Sequence, residues 1–177
     1  MTIVQIAGYF GLMNWLPSIV QKQKGLSVSG SSIWMIATIV GMSIGMMVFG
    51  TVMDNWGPRW AFGIFLLGSA TIMFTILMVQ SSLALILAGV LIGFFSNGMF
   101  GGYGAVISQL YPTAIRSTAN SIIMNVGRAI GGFSSVVIGL LMDHYSLGVT
   151  MGFLSALYIL SFIVMSSLPG MRKLANH

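Results

Sequence analysis

The sequence predicts an all-α integral membrane domain of six transmembrane helices, on three observations. Only 5% of the 177 residues are charged and 56% are hydrophobic. A soluble domain carries about 25% charged residues, so too few charges are present to coat a water-facing surface. Six segments also reach the roughly 20 apolar residues that a helix needs to cross the hydrocarbon core. The period-two alternation of a membrane β-barrel strand is absent, which leaves helices as the spanning structure.

The six spans are expected at about 2–20, 31–53, 60–79, 83–108, 118–142 and 149–168, within a single domain covering 1–177. Polar punctuation separates them. Gln21-Lys22-Gln23-Lys24-Gly25 ends the first span, and Asp54-Asn55-Trp56-Gly57-Pro58-Arg59 ends the second. Pro58 suits a first helical turn, where its missing N–H has no partner to lose. Gln80-Ser81-Ser82 forms a tight third turn, Tyr111-Pro112-Thr113 the fourth and Asp143-His144-Tyr145-Ser146 the fifth. Trp15, Trp34, Trp56, Trp60 and Tyr145 fall near span ends, as interfacial aromatics do.

Charge sets the orientation. Arg59, Arg116, Arg172 and Lys173 fall on one side, Lys22 and Lys24 on the other. The positive-inside bias makes the first side, and the N-terminus with it, cytoplasmic in a multi-pass protein of the cell (plasma) membrane. The net charge of +5 is spread singly over loops rather than gathered in a patch, so no nucleic-acid partner is expected. The absence of cysteine excludes disulfides and thiolate metal sites. No cofactor is expected. The first apolar run has neither a basic leading region nor a small-residue cleavage site, so it reads as a span and not as a cleavable signal.

The chain also repeats itself. Gly50-Thr51-Val52-Met53-Asp54-Asn55-Trp56 aligns with Gly139-Leu140-Leu141-Met142-Asp143-His144-Tyr145 at an offset of 89 residues. Three helices separate the copies, which places them on opposite membrane faces. That is the pattern of a 3+3 inverted-topology repeat.

Several stretches resemble the major facilitator superfamily. Gly50 to Arg59 resembles its cytoplasmic Gly-x-x-x-Asp-x-x-Gly-(Arg/Lys)-Arg loop. Gln109-Leu110-Tyr111-Pro112-Thr113-Ala114-Ile115-Arg116 is similar to the Glu-x-Tyr-Pro-Thr-x-x-Arg loop of its metabolite–proton symporters and sugar porters. Gly127-Arg128-Ala129-Ile130-Gly131-Gly132 looks like the Gly-Arg-x-Gly-Gly stretch of the same branch, and Trp15-Leu16-Pro17 resembles an outer helix end in its organic-anion members. In order and spacing these map the chain onto helices seven to twelve of a twelve-helix transporter. Two positions depart from the family pattern. Gln109 stands for the usual Glu, which removes an ion pair, and Pro58 stands for the first basic residue of the other loop. The resemblance implies half of a major facilitator fold that moves a small metabolite, with an organic anion as one candidate, by alternating access with proton coupling. Its partners are then the bilayer, a small-molecule substrate, and a missing six-helix N-terminal half or a second copy of the chain.

Arg128 is the sharpest candidate for substrate contact, lying near the bilayer midplane, where a bare charge costs about 2.5 kcal/mol or more. It forms a polar stripe with Ser121, Asn125 and Gly132 at three- and four-residue spacing. It is either an anion-binding guanidinium in a central cavity or a lock that pairs with a neighbouring helix. Asn97, Tyr9 and Gln5 fall near mid-span and Asn14 further out. They line the path or hydrogen-bond between helices. Gly98, Gly101, Gly102 and Gly104 crowd one half of the fourth helix as a gating hinge or as close packing. Gly41/Gly45 and Gly127/Gly131, each four apart, read as packing. The resemblance assigns Gly50, Asp54, Gly57, Arg59, Tyr111, Pro112 and Arg116 to a cytoplasmic gate, where Asp54 would cap a helix of the other half. The alternative for Asp54 is capping of its own following helix. The fifteen methionines read as adaptable filler.

No Asp or Glu lies inside a span, so a proton-driven system would carry its titratable group elsewhere. An intramembrane enzyme fits poorly, because both histidines lie outside the spans and the two aspartates fall on opposite faces. A non-transporting membrane subunit, or the remnant of a truncated transporter gene, is the remaining alternative.

Overall fold

The computed structural model describes residues 3–4, 6–8, 21, 27–79 and 81–167. Most of the first expected span, with Trp15 in it, lies outside them. Five helices long and apolar enough to cross a membrane are present among the described residues: α1 (Val28–Trp56), α2 (Pro58–Met78), α3 (Ser82–Leu110), α4 (Arg116–His144) and α5 (Leu147–Ser167). Their ends lie within three residues of the sequence reading, generally reaching slightly further. The apolar runs stop where the lipid stops, whereas a hydrogen-bonded helix continues until a cap or a proline ends it. No strand occurs among the described residues, and the chain has the all-α membrane architecture that its composition requires.

Local chemistry explains the boundaries. The Ser27 hydroxyl caps α1 by accepting the Gly30 N–H at 3.1 Å. Gly57 ends it with φ 82°, a left-handed conformation open to glycine, and its N–H donates to the Met53 carbonyl at 3.0 Å. Pro58 begins α2 at once, so the single residue Gly57 joins the two helices. Asp54, Asn55 and Trp56 therefore belong to the last turn of α1 and not to a loop. Ser81 caps α3 by accepting the Ala84 N–H.

Lipid is as apolar as leucine, so close packing and not the hydrophobic effect joins these helices. In α1, residues 31, 34, 38, 41, 45 and 49 form one buried face. A Cβ added to Gly41 would overlap the Val90 carbonyl, one on Gly45 the Phe94 carbonyl, and one on Gly93 the Thr38 carbonyl. These pairs march in the same direction, so α1 and α3 run parallel in near backbone contact. The Trp34 indole N–H donates to the Leu85 carbonyl at 2.9 Å, and the side chain is 1% exposed. Trp34 is thus a core residue, not the interfacial aromatic its position suggested. Its depth along the helix is legible in the sequence, but the face it occupies is set by α3. Trp56, Trp60 and Tyr145 are exposed as expected.

An aromatic cluster joins α1, α2 and α3. Phe49 sits edge-on to Phe62 at 4.9 Å and to Phe65 at 5.0 Å, contacts worth about 0.5–1.5 kcal/mol each. α2 runs antiparallel to α5, because Ser155 donates to the Ala70 carbonyl at 2.8 Å while Gly63 faces Phe162 and Met165. Three of the described spans are interrupted. α2 breaks at Met73–Phe74, α3 carries a π-turn at Gly93–Asn97, and α4 breaks at Phe133. At that break the Ser134 hydroxyl donates to the Ala7 carbonyl at 2.8 Å, and Gly131 abuts the backbone of Ala7.

Candidate functional site

The polar face of α4 is the most chemically distinctive surface. Gly127 and Gly131 turn to the buried side of the helix. Ser117, Thr118, Ser121, Asn125 and Arg128 are exposed and recur at the three- and four-residue spacing that stacks side chains on a helix. An open cleft of about 460 Å³ runs along them, lined by Ser117, Thr118, Ser121, Ile122, Asn125 and Val126. Arg128 stands one turn beyond Asn125. It is the thirteenth residue of the 29-residue span, about 18 Å from the start at 1.5 Å per residue.

Arg128 makes no ion pair and no hydrogen bond with another described residue. A guanidinium cannot be left in hydrocarbon, so this face meets water or another protein surface. Its planar fork offers five N–H donors and no acceptor. Asn125 and Ser121 add neutral donors on the same stripe. Such a set suits an anion, above all a carboxylate held in two parallel bonds.

The other path residues are placed differently. Asn97 ends the π-turn of α3 and is fully buried, and neither its amide nitrogen nor its amide oxygen has a hydrogen-bond partner among the described residues. No hydrogen bond links it to the α4 face among the described residues. Gln5, Tyr9 and Asn14 lie outside the described residues. Among the glycines, Gly98 meets the Gly45 backbone and Gly102 meets the Phe49 ring, whereas Gly101 and Gly104 have no atom within 4 Å of an added Cβ. The irregular backbone lies at residues 93–99, which takes in Gly98 and ends just before Gly101, Gly102 and Gly104.

Because α1 and α3 are parallel, the 50–59 and 109–116 motifs share one end of the bundle. Asp54 is exposed, the N-cap of α2 is Gly57, and no hydrogen bond joins the Asp54 carboxylate to α2 among the described residues. Arg59 is half-buried. Tyr111, Pro112 and Arg116 are exposed, and Gly50 has open space where a Cβ would stand. Asp143 is exposed in the last turn of α4. Among the described residues no group of three or more His, Cys, Asp or Glu could hold a metal.

A set of buried hydroxyls escaped sequence reasoning: Tyr103 on α3, and Tyr158 and Ser161 on α5. Their signal was available as hydroxyl side chains at mid-span depth, but in an apolar run it does not stand out.

The sequence profile of the Major Facilitator Superfamily matches residues 1–174. The chain belongs to this superfamily. Among its relatives is a Haemophilus influenzae protein named for metabolite transport, 37% identical over 163 residues, covering 92% of this chain and 40% of that protein. The cis,cis-muconate transport protein of Acinetobacter baylyi is 27% identical over 157 residues, or 89% of this chain and 38% of that one. A Cupriavidus pinatubonensis protein named for 4-methylmuconolactone transport is 30% identical over 172 residues, or 96% of this chain and 40% of that one. The chain thus spans about 40% of the length of these three curated relatives. No solved structure matches it. The relatives are named as transporters, in accord with the non-enzymatic reading of the sequence.

Proposed function

We propose that this chain is the C-terminal six-helix half of a secondary transporter that carries small organic anions across the plasma membrane by alternating access. The observation that carries this reading is the α4 face: a mid-span guanidinium, exposed with an amide and hydroxyls, in a helix otherwise built for lipid. Carboxylate substrates fit that donor set, and muconate, named for one relative, is a dicarboxylate. A complementary six-helix half, supplied by another segment or by a second copy, forms the opposite wall of the path. Since no Asp or Glu lies within the interior of a span here, proton coupling draws its titratable group from that other half. Asp54, Arg59 and Arg116 then belong to a gate that closes on the partner half at the cytoplasmic end.

Uptake of labelled muconate into proteoliposomes tests the reading. The chain alone is expected to show no saturable uptake. The same chain fused behind the first six helices of the Haemophilus influenzae relative is expected to transport, with competition from other carboxylates. Saturable uptake by the monomeric chain alone refutes the half-carrier reading. A transporting fusion that ignores carboxylates refutes the substrate class.

A further inference from the structure

Arg128 stands shortly before a break in its own helix. Regular α-helix runs from Arg116 to Gly132 and resumes at Ser134. Between them the Phe133 N–H donates three residues back, to the Ile130 carbonyl at 3.2 Å. Where the i→i−4 ladder is interrupted, it no longer fixes the rotation of one half of a helix on the other. An external anchor spans this break. On one side, a Cβ added to Gly131 would stand 2.9 Å from the Ala7 backbone nitrogen. On the other, the Ser134 hydroxyl donates to the Ala7 carbonyl at 2.8 Å. Both halves of α4 therefore seat on one residue of the first span. That residue is itself held: Ile6 and Ala7 are buried, and Gly8 abuts the Tyr158 hydroxyl of α5.

Little else sets the rotation of the Arg128 half. From Arg116 to Gly132 only Gly127 and Gly131 are buried, and a glycine has no side chain with which to resist turning. Close glycine contact fixes how near two helices come, whereas a hydrogen bond is directional and fixes the angle. Gly127, Gly131 and Ser134 recur at i, i+4 and i+7 and form the anchored edge. Ser121, Asn125 and Arg128 recur at the same spacing and form the polar edge. Each residue turns a helix by about 100°, and Arg128 is one residue past Gly127, so a slip of that size carries the guanidinium onto the anchored edge or away from the open face. We propose that Ser134 is a positioning residue for Arg128: its hydroxyl, held by the Ala7 carbonyl, sets the rotation of α4 at which the guanidinium faces the path. The inference rests on the α4 face being that path.

A spin label at Ser121 of the purified chain in bilayers tests the role. Ser134→Ala is expected to lower the label's accessibility to a water-soluble nickel chelate and to raise its accessibility to lipid-dissolved oxygen. Ser155→Ala is the control. It removes another buried serine-to-carbonyl bond of 2.8 Å, from α5 to Ala70, and is expected to leave the Ser121 signal unchanged. A bond that serves stability alone predicts the same outcome for both variants. Gly131→Ala pushes on the same seam without touching the hydroxyl, is expected to move the signal in the same direction, and decides the matter if Ser134→Ala does not insert. In the transporting fusion, Ser134→Ala is expected to weaken apparent carboxylate affinity by about two- to tenfold, the range that the net worth of one hydrogen bond permits, with the maximal rate retained. A Ser121 signal that Ser134→Ala leaves unmoved overturns the proposal, and so does one that Ser155→Ala moves equally. A lipid-like signal before any substitution at the seam overturns instead the aqueous face, and the positioning role falls with it.

Discussion

Replacing Arg128 separates a binding guanidinium from a structural lock. A lock would hold a desolvated ion pair or carbonyl contacts, and breaking a buried pair costs about 3–5 kcal/mol. For a chain of this size each kcal/mol moves the melting temperature by about 2–4 °C, so a lock predicts a fall of roughly 6–20 °C in Arg128→Gln. The structure shows Arg128 exposed and without an ion pair among the described residues, and an exposed substitution changes stability by about 0.5 kcal/mol at most. The expected shift is therefore about 2 °C or less, measured by intrinsic fluorescence on the detergent-purified chain. In the transport-competent fusion, Arg128→Lys keeps the charge but loses the planar fork. Apparent affinity for a carboxylate is expected to fall about tenfold, equivalent to about 1.4 kcal/mol, with preference for the acid over its neutral amide reduced further in Arg128→Gln. A melting temperature lowered by 6 °C or more with affinity intact would refute the binding role. An unchanged acid-to-amide ratio in the Gln variant would end the anion proposal.

Three other outcomes are expected. Cysteines at Ser81 and Ser146 should react with an impermeant thiol reagent from outside, and those at Asn55 and Ala114 only after permeabilisation; the reverse pattern overturns the charge-based orientation. Gly41→Ala, Gly45→Ala and Gly93→Ala each force a methyl into facing backbone, where overpacking costs about 1–3 kcal/mol. Their melting temperatures should fall, whereas Gly101→Ala and Gly104→Ala should be tolerated, and equal effects in both groups would contradict the packing described. Finally, a spin label at Ser121 should be reached by a water-soluble nickel chelate, while labels at Ile44 and Met47 on the bare face of α1 should be reached by lipid-dissolved oxygen; a lipid-like signal at Ser121 would remove the aqueous face from α4.

What the sequence carried, and what it did not, divides along a physical line. Depth in the membrane is a one-dimensional property, and the apolar runs report it directly. The five described spans and the mid-span level of Arg128 were therefore legible. The face a residue occupies depends on its neighbours. Trp34 was placed at the right depth but proves to be packed under Leu85. Asn97 was likewise expected at mid-span, and its burial without a partner among the described residues could not be foreseen. Spacing did predict faces where the chemistry is extreme. Glycines four apart at Gly41 and Gly45 can only serve close approach once α3 is beside them, and the stripe through Ser121, Asn125 and Arg128 keeps its single face in the fold. The hydroxyls of Tyr103 and Ser161 went unread because a single hydroxyl barely alters the hydropathy of its window.

The repeat and the burial pattern bear on each other. The copies at Gly50 and Gly139 lie on α1 and α4, and these are the two least buried of the five described spans: 28% of an 18-residue apolar stretch of each is covered within the chain, against 39–50% for the other three. An inverted repeat gives equivalent helices equivalent positions, so one bare helix entails a second. The bare faces differ in chemistry. That of α1 presents Ile33, Ile36, Val40, Ile44 and Met47, which lipid or an apolar partner covers equally well. That of α4 presents Ser117, Thr118, Ser121, Asn125 and Arg128, which lipid cannot cover. The two helices share one origin of exposure, and only the polar one requires that something other than lipid stand opposite. A path between two halves meets that requirement, because it supplies water and a second protein wall at the depth where Arg128 sits.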